Sequence, residues 1–547
     1  MRFVGLGQSP FFHRDLIFKM SEYPKKLRVA LVSLGNTHNL GARQLCAVIK
    51  EAGFETHMVF LSDIIQNDII PPSKWELDRA VELICGQIKP DLLGISVSCS
   101  TFYDTAVELT SRCREGGIDK IAWGGIHAIL CPEDSIEHAD YVCVTEGETV
   151  VPILLNRLEE GKSCADVPGF WVKENGIVFK NKPSGVVMDL DTLPFPDYED
   201  ENKYFICENG FYPREPFLIR IYSVFVITSR NCPFNCAFCA APYFKTELVT
   251  GVPGIMRVRQ RSVANVIREL EYIRRSIPTF EHLTINFADD IFVMKSEWVK
   301  EFVEKYKTGF KNPFWCYFHP TLVKDEIIKI FADAGMRYIN MGVQSGSERI
   351  RTEIYNRTDT DEKIRKAMQI IRNNNIGVML DVIVDNPFDN QDDRDRALEF
   401  LLSLPRPYTL NFLSLIFFPR VPLTERALKE GYITEEQVEM RSKKAFYQMN
   451  FHFGWKERKP EEALYTALYQ MCGKLFIPRN FIRRLSRIKS LHENPYPAIR
   501  LAIIFNAILF FWNRSKIVSR RLFSGELKPE DFAHSLKKYR KAGIPIE

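Results

Sequence analysis

Three cysteines carry the strongest chemical signal in this chain. Cys232, Cys236 and Cys239 stand in the run Arg230-Asn231-Cys232-Pro233-Phe234-Asn235-Cys236-Ala237-Phe238-Cys239, a C-x3-C-x2-C pattern with an aromatic just before the last thiol. Three thiolates on one short loop can hold three corners of a cubane iron–sulfur cluster. No fourth ligand stands nearby in the sequence, which leaves one iron open to a small molecule. Two other readings use the same residues: a zinc knuckle and buried structural cysteines. Zinc favours four protein ligands in paired C-x2-C units, and no second pair follows at suitable spacing.

The loop needs a scaffold, and the surrounding pattern is that of an α/β protein. From Leu27 onward, buried-strand runs alternate with helical stretches: strands at Leu27–Leu34, Thr56–Leu61, Asp91–Ser98, Lys120–Trp123 and Tyr141–Val144, with a helix over Gly41–Ala52. Strands separated by helices imply parallel βαβ units and a doubly wound sheet. Phe170–Phe179 reads as a hairpin turning at Asn175-Gly176. Asp189–Asp200 is acidic and proline-containing, which fits a linker. The pattern then resumes at Val224–Thr228, directly before the cysteine loop. It continues with strands at His282–Phe287, Phe314–Phe318, Tyr338–Val343, Val378–Val384 and Leu410–Phe418, and helices such as Ser262–Arg275 and Asp361–Asn374. Beyond Tyr432 the chain reads as helical. The expected division is an N-terminal extension over 1–26, a first domain over 27–188, a linker over 189–216, a barrel-like core over 217–431 and a helical C-terminal domain over 432–547.

Polar and small residues gather at the expected strand ends, where parallel α/β sheets bind ligands. Asn36, His38 and Gly41 follow the first strand, Ser96 and Ser98 end the third, Gly124, Gly125 and His127 follow the fourth, and Glu146, Gly147 and Glu148 follow the fifth. In the second half, Asp289 and Asp290 end one strand, and Gln344 and Ser345 follow another. Turns or helix caps account equally for several of these residues.

Composition narrows the partners. The chain has 547 residues, 46% hydrophobic and 26% charged, with net charge +4, which does not argue for nucleic acid. Its 13 cysteines are scattered singly outside the loop, as free thiols in a reducing compartment are. No signal peptide is read in Met1–Lys26, so a cytoplasmic location is expected. One apolar run, Leu501–Trp512, is shorter than the ~20 residues that span a bilayer. It is flanked by Arg479, Arg483, Arg484, Arg487, Lys489, Arg500, Arg514, Lys516, Arg520 and Arg521. Either it packs as a core helix, or it lies at the inner membrane face and grips a lipophilic substrate.

The cysteine loop resembles that of the radical S-adenosylmethionine (SAM) enzymes. The Gly124-Gly125-x-His127 and Glu146-Gly147-Glu148 elements and Val167-Pro168-Gly169-Phe170 resemble the cobalamin-binding domain found upstream of the barrel in one class of them. The resemblance implies an N-terminal Rossmann-like cobalamin domain, an open (βα)6 TIM-like barrel and three cofactors: a [4Fe-4S] cluster on Cys232, Cys236 and Cys239, SAM, and cobalamin. It implies SAM contacts from Phe238, Asp289, Asp290, Gln344 and Ser345. Cobalamin contacts would come from Asn36, His38, Gly41, Ser96, Ser98, Gly124, Gly125, His127, Glu146, Gly147 and Glu148. His38 is either the cobalt ligand or a loop contact, because Asn36 stands where the ligand motif D-x-H-x-x-G has its aspartate. The implied activity is methyl transfer to an unactivated carbon of a small, lipophilic substrate, with flavodoxin or ferredoxin as electron donor. The alternatives are a non-methylating enzyme of the same class (oxidative cyclisation, ring rearrangement or carbon–carbon coupling), a methylthiotransferase and a non-catalytic cobalamin sensor.

Overall fold

The computed structural model describes residues 26–35, 38–61, 64–65, 68–69, 71–207, 209–213, 223–248, 258–292, 295–442, 458–506 and 508. The first sheet begins with β1 (Arg28–Leu34) and β2 (Glu55–Leu61), followed by a short hairpin of β3 (Ile64–Ile65) and β4 (Asp68–Ile69). It continues with β5 (Leu92–Ser96), β6 (Ile121–Gly124), β7 (Tyr141–Cys143), β8 (Phe170–Glu174), β9 (Ile177–Lys180), β10 (Lys203–Cys207) and β11 (Gly210–Tyr212). Apart from the hairpin, these strands form one sheet in the order β11-β10-β2-β1-β5-β6-β7-β8-β9, parallel from β10 to β7. The expected doubly wound sheet is present. Period-two alternation feeds both faces: Ala30, Val32 and Leu34 of β1 enter one core, Val29 and Leu31 the other. The strand order reverses between β1 and β5, the switch point at which such sheets open a crevice at their carboxyl ends. At the far edge, Asn175 (φ 53°) and Gly176 (φ 79°) make the left-handed turn that joins β8 to β9.

The segment expected to be a linker is part of this sheet. β10 pairs in parallel with β2, and β11 closes the edge. The preceding acidic stretch is bolted down. Asp197 pairs with Lys203 and Lys50, each at 2.7 Å, and Arg43 lies between the rings of Phe60 and Tyr198 while donating to the Asp197 carbonyl at 2.9 Å. Tyr198 in turn donates to the Phe225 carbonyl on the next sheet at 3.0 Å. Its acidic, proline-containing composition reads as loop, but Asp197 is 4% exposed and serves as a structural counter-ion.

The second sheet is wholly parallel and runs in sequence order: β12 (Ser223–Val226), β15 (Thr284–Phe287), β16 (Phe314–Phe318), β17 (Met336–Gln344), β18 (Gly377–Val384) and β19 (Thr409–Ser414). A two-stranded ribbon of β13 (Ser229–Arg230) and β14 (Arg259–Gln260) flanks the cysteine loop. Amphipathic helices pack outside; in Asp361–Asn373, capped by the Thr360 side chain, the buried positions are Ile364, Ala367, Met368 and Ile371.

The helical C-terminal region shares a core with this barrel. Among the described residues β19 is the last strand of this sheet, and no further βα unit covers helix Gln391–Ser403. Helix Pro460–Cys472 does so instead: Leu464, Ala467, Leu468 and Met471 join Leu398, Leu401 and Leu402 in one cluster. In the apolar run, Ala502 is buried against this core with Leu501 and Ile503 beside it, while Ile504 and Ile508 are about half exposed. Phe510, Phe511 and Trp512 lie outside the described residues. The core-helix alternative therefore holds for the first part of the run. No helix among the described residues is long and apolar enough to cross a membrane.

The docking of these helices depends on a close backbone approach. A Cβ at Gly473 would lie 2.0 Å from the Tyr408 carbonyl oxygen, whereas one at Gly86 would meet nothing within 4 Å. Gly473→Ala is expected to cost roughly 1–3 kcal/mol through overpacking, and Gly86→Ala to be neutral or slightly stabilising, as read by thermal unfolding of the two variants.

Candidate active site

The cysteine loop leaves the carboxyl end of β12, the edge at which parallel barrels carry function. Cys232, Cys236 and Cys239 are free thiols; Cys236 is buried and the other two are half-buried. The loop is held by its backbone. Ala237 donates its N–H to the Tyr355 carbonyl (2.9 Å) and accepts from Leu423 (2.8 Å), and Asn356 Nδ2 donates to the Asn235 carbonyl (2.9 Å). Lys245 Nζ spans the Phe234 carbonyl (2.6 Å) and Asn235 Oδ1 (2.7 Å). Phe238 packs edge-on against Tyr355 at 4.9 Å, so its ring is a wedge beneath the loop. Burial pushes the Cys232 and Cys239 thiols up to about 11. The metal-free loop is therefore protonated at neutral pH and releases protons when it binds metal. Three soft sulfur donors on one anchored loop suit iron.

The neighbouring strand ends divide the expected residues. Asp289 is 2% exposed and turns inward: its Oδ1 accepts from Thr228 N–H (3.0 Å), Thr228 Oγ1 (3.0 Å) and Ser229 Oγ (2.6 Å). It thereby fixes the start of the cysteine loop, while its Oδ2 has no hydrogen-bond partner among the described residues. Asp290 is exposed, and its charge acts on both Cys232 and Cys239. Gln344 ends β17 at a register shift with φ 67°, and its buried Oε1 has no hydrogen-bond partner among the described residues. A left-handed glutamine with an orphaned oxygen is a costly arrangement, and a hydrogen-bonding ligand at this strand end would repay it. Ser345 Oγ accepts from the Ser347 N–H at 3.1 Å and so also shapes the turn.

On the first sheet, the expected ligand residues also separate. His38 stands beside the switch point with its ring 4.8 Å from Phe225 of β12, so it faces the second sheet. Asn39 caps helix Leu40–Glu51 and donates to Ser96 Oγ at 3.1 Å. Gly41 is exposed, Gly124 is half-buried, and Ser98 lies just past the end of β5. Asn36 lies outside the described residues. Gly125 is required by the chain itself: at φ 98°, its Cβ would sit 2.7 Å from the Val97 carbonyl oxygen. His127 is fully buried, with Nδ1 3.0 Å from Ser100 Oγ and its ring nitrogens close to the possible ligand atoms of Cys131 and Asp134.

The Glu146-Gly147-Glu148 element does something the sequence did not indicate. Gly147 opens helix Gly147–Glu159, where a Cβ would press on Leu45 at 3.3 Å. Glu148 pairs with Arg230 at 2.6 Å, and Glu146 grips Arg259 through both oxygens at 2.5 and 3.0 Å. Arg259 also donates to Asn231 Oδ1 at 3.0 Å. Burial pushes the Glu146 carboxyl up, but Arg259 and Arg230 more than offset it and hold it below the ordinary range. These carboxylates therefore clamp the first sheet to the β13–β14 ribbon beside the cysteines. On the other side, Arg420 pairs with Glu133 at 2.7 Å and donates to Tyr243 at 3.1 Å. These pairs tie the carboxyl end of the first sheet to the loops at the carboxyl end of the second. Arg230 opens the cysteine run itself, whereas Arg259 and Arg420 stand far from it in sequence and reach it through the fold.

Comparison with known proteins agrees with this architecture. Residues 27–155 match the model of the B12 binding domain and residues 226–401 that of the Radical SAM superfamily. The chain is 25% identical over 358 residues to the uncharacterized methyltransferase PH0819 of Pyrococcus horikoshii, covering 64% of this chain and 72% of that protein. It is 22% identical over 418 residues to the bacteriochlorophyllide d C-8(2)-methyltransferase of Chlorobaculum tepidum, covering 73% of this chain and 83% of the relative. Among solved structures, the cobalamin-dependent S-adenosylmethionine radical enzyme OxsB superposes with TM-score 0.64 at 16% identity, over 94% of this chain and 84% of that one, a likeness of fold.

The environment of Asp289 has a measurable consequence. Burial raises its carboxyl to about 7 from an ordinary 3.8, against the pull of the Ser229 and Thr228 hydrogen bonds. The folded state therefore holds a proton that the unfolded state has already lost between these values. Stability of the cofactor-free protein is expected to fall as pH rises from about 4 to about 7 through this group. Asp289→Asn, which keeps the accepting oxygen, is expected to flatten that slope in denaturant unfolding measured across the range. An unchanged slope would show that Asp289 ionises freely.

Proposed function

Because the chain belongs to the radical SAM enzymes that carry a B12-binding domain, with a [4Fe-4S] cluster, SAM and cobalamin as cofactors, we propose that it is a methyltransferase acting on an unactivated carbon. The observation that supports this reading is the pairing of Glu148 with Arg230 and of Glu146 with Arg259, which ties the carboxyl end of the first sheet to the ribbon that carries the cysteine loop. When bound there, the cofactors supply one-electron cleavage of SAM and a transferable methyl group. The chain's own part is to bind, orient and exclude water.

In this reading Cys232, Cys236 and Cys239 hold the cluster. Asp290 is the carboxylate placed to meet the SAM ammonium, and Gln344 Oε1 gains a donor from the same ligand. Ser345 and Phe238 shape the turn and the loop around it. His38, Gly41, Ser96, Ser98 and Gly124 border cobalamin from the first sheet. Gly125, His127 and Gly147 shape the loops of this wall, Glu146 and Glu148 tie it to the ribbon beside the cysteines, and Asp289 fixes the start of the cysteine loop. An external low-potential protein, of the flavodoxin or ferredoxin kind, supplies the electron, and the substrate is a small molecule. The named methyltransferases among the relatives favour methyl transfer over the non-methylating chemistry of the same class.

Two measurements test this. Cys232→Ala, Cys236→Ala and Cys239→Ala are each expected to abolish iron loading and 5′-deoxyadenosine release from SAM, while Cys472→Ala, far from the loop in the barrel core, retains both. Cleavage of SAM by the triple variant would overturn the ligand assignment. For methyl transfer, wild-type protein given cob(I)alamin and methyl-labelled SAM is expected to form labelled methylcobalamin, read by visible spectrum and mass. Intact corrinoid binding with no methyl uptake would favour a non-methylating enzyme.

A further inference from the structure

We propose that Arg357 is a positioning residue for the cluster: it donates a charge-assisted hydrogen bond to the Cys236 sulfur and thereby raises the reduction potential of the [4Fe-4S] centre. The inference rests on the assignment of the three cysteines above. Its basis is the geometry of one buried network. Arg357 follows Tyr355 and Asn356, the two residues that hold the cysteine loop from below. Its guanidinium is 7% exposed and fixed on two sides. Nε donates to Asp359 Oδ1 at 2.9 Å, and Nη2 donates to the Gly342 carbonyl at 2.7 Å and to Asp359 Oδ2 at 3.3 Å. What remains, Nη1, points at Cys236 Sγ at 3.7 Å.

The network has no freedom to turn away. Asp359 is fully buried; His319 Nε2 lies 3.5 Å from its Oδ1, and Arg351 Nε donates to its carbonyl at 3.0 Å. His319 stacks on Phe234 of the cysteine loop, with ring centroids 3.8 Å apart and planes at 17°. The loop therefore rests on the same residues that aim the guanidinium. A second, uncharged donor reaches another sulfur: the Ala241 N–H lies 3.4 Å from Cys239 Sγ.

The physical effect has a definite sign. Reduction adds one electron from an external low-potential donor and moves no heavy atom, so the cluster and its thiolates gain a full negative charge. A buried cation hydrogen-bonded to a ligating sulfur stabilises the reduced form more than the oxidised form. Hydrogen bonds to sulfur and net charge are recognised determinants of such potentials, and a charged donor in a water-poor site acts more strongly than a neutral one.

The test is an EPR-monitored redox titration of anaerobically reconstituted, full-length protein, compared across wild type, Arg357→Met, Arg357→Lys and Asn356→Ala. Arg357→Met removes donor and charge, and is expected to make one-electron reduction about tenfold less favourable, about 59 mV more negative. Arg357→Lys keeps the charge but not the fork and is expected to lie between the two; it also carries the test if the Met variant fails to load iron. Asn356→Ala cuts one strut of the loop without altering charge, and its potential is expected to stay with wild type. A wild-type potential in loaded Arg357→Met, or an equal shift in Asn356→Ala, would reduce Arg357 to a mere strut. If wild type itself loads no cluster, the cysteine assignment fails, a result distinct from failure of the Arg357 role.

Discussion

The arrangement of this fold depends on the ion pairs that tie the carboxyl end of one sheet to the loops at the carboxyl end of the other. Ligand sites in parallel α/β sheets form at those ends, so two domains can share a reaction only if the ends are turned toward each other and held. Here the holding is electrostatic. Glu146 and Glu148 sit at the entry to helix Gly147–Glu159, where the helix dipole favours carboxylates. Arg230 and Arg259 sit on the two strands of the ribbon that introduces the cysteine loop. The contact thus runs through direct side-chain pairs from one sheet's ligand edge to the other's.

The same logic explains why Asp197 and Tyr198, between the two sheets in sequence, are held to both. A loose tether would leave the distance between the two ligand edges to the ion pairs alone. Instead Asp197 and Tyr198 are locked to the first sheet by Arg43, Lys50 and Lys203, and Tyr198 reaches β12. The strand that carries the cysteine loop is tied to the first domain at its base as well as at its tip. The C-terminal helix Pro460–Cys472 covers the apolar face of Gln391–Ser403 and so extends the core of the second domain.

Much of this was legible in the sequence, for reasons that differ by element. Periodicity marks strands and helices because burial acts locally on side chains, so the parallel runs before and after the cysteines and the Asn175-Gly176 hairpin read directly. The cysteine triplet reads because three soft donors within one loop have few other uses. What did not read is whatever depends on partners distant in sequence. β10 pairs with β2 across more than half of the first domain, and nothing local separates its Lys203-Tyr204-Phe205-Ile206-Cys207 run from a linker strand. The chemistry of Glu146 and Glu148 suits both ligand contacts and ion pairs, and their pairing with Arg230 and Arg259 depends on a neighbour the local sequence does not show. Asp289 and Asp290 are adjacent and chemically alike, yet the turn after β15 buries one against Thr228 and Ser229 and leaves the other exposed.

The distribution of buried charge separates scaffold from site. Burying an ion pair rarely stabilises a protein more than a well-packed apolar pair would, so a concentration of such pairs implies another use. The apolar barrel core contains Phe287, Phe302, Phe314 and Phe331 in ring contact with one another. The charged groups Arg351, Arg357 and Asp359 and the buried carboxyl of Asp289 lie instead around the cysteine loop and the β17 strand end. Each fixes the orientation of the next: Arg351 holds Asp359, Asp359 holds Arg357, and Arg357 reaches Cys236. The apolar layers provide the stability that such a chain of desolvated charges consumes. The chain in return gives a loop with no regular secondary structure the rigidity that a three-sulfur donor set requires.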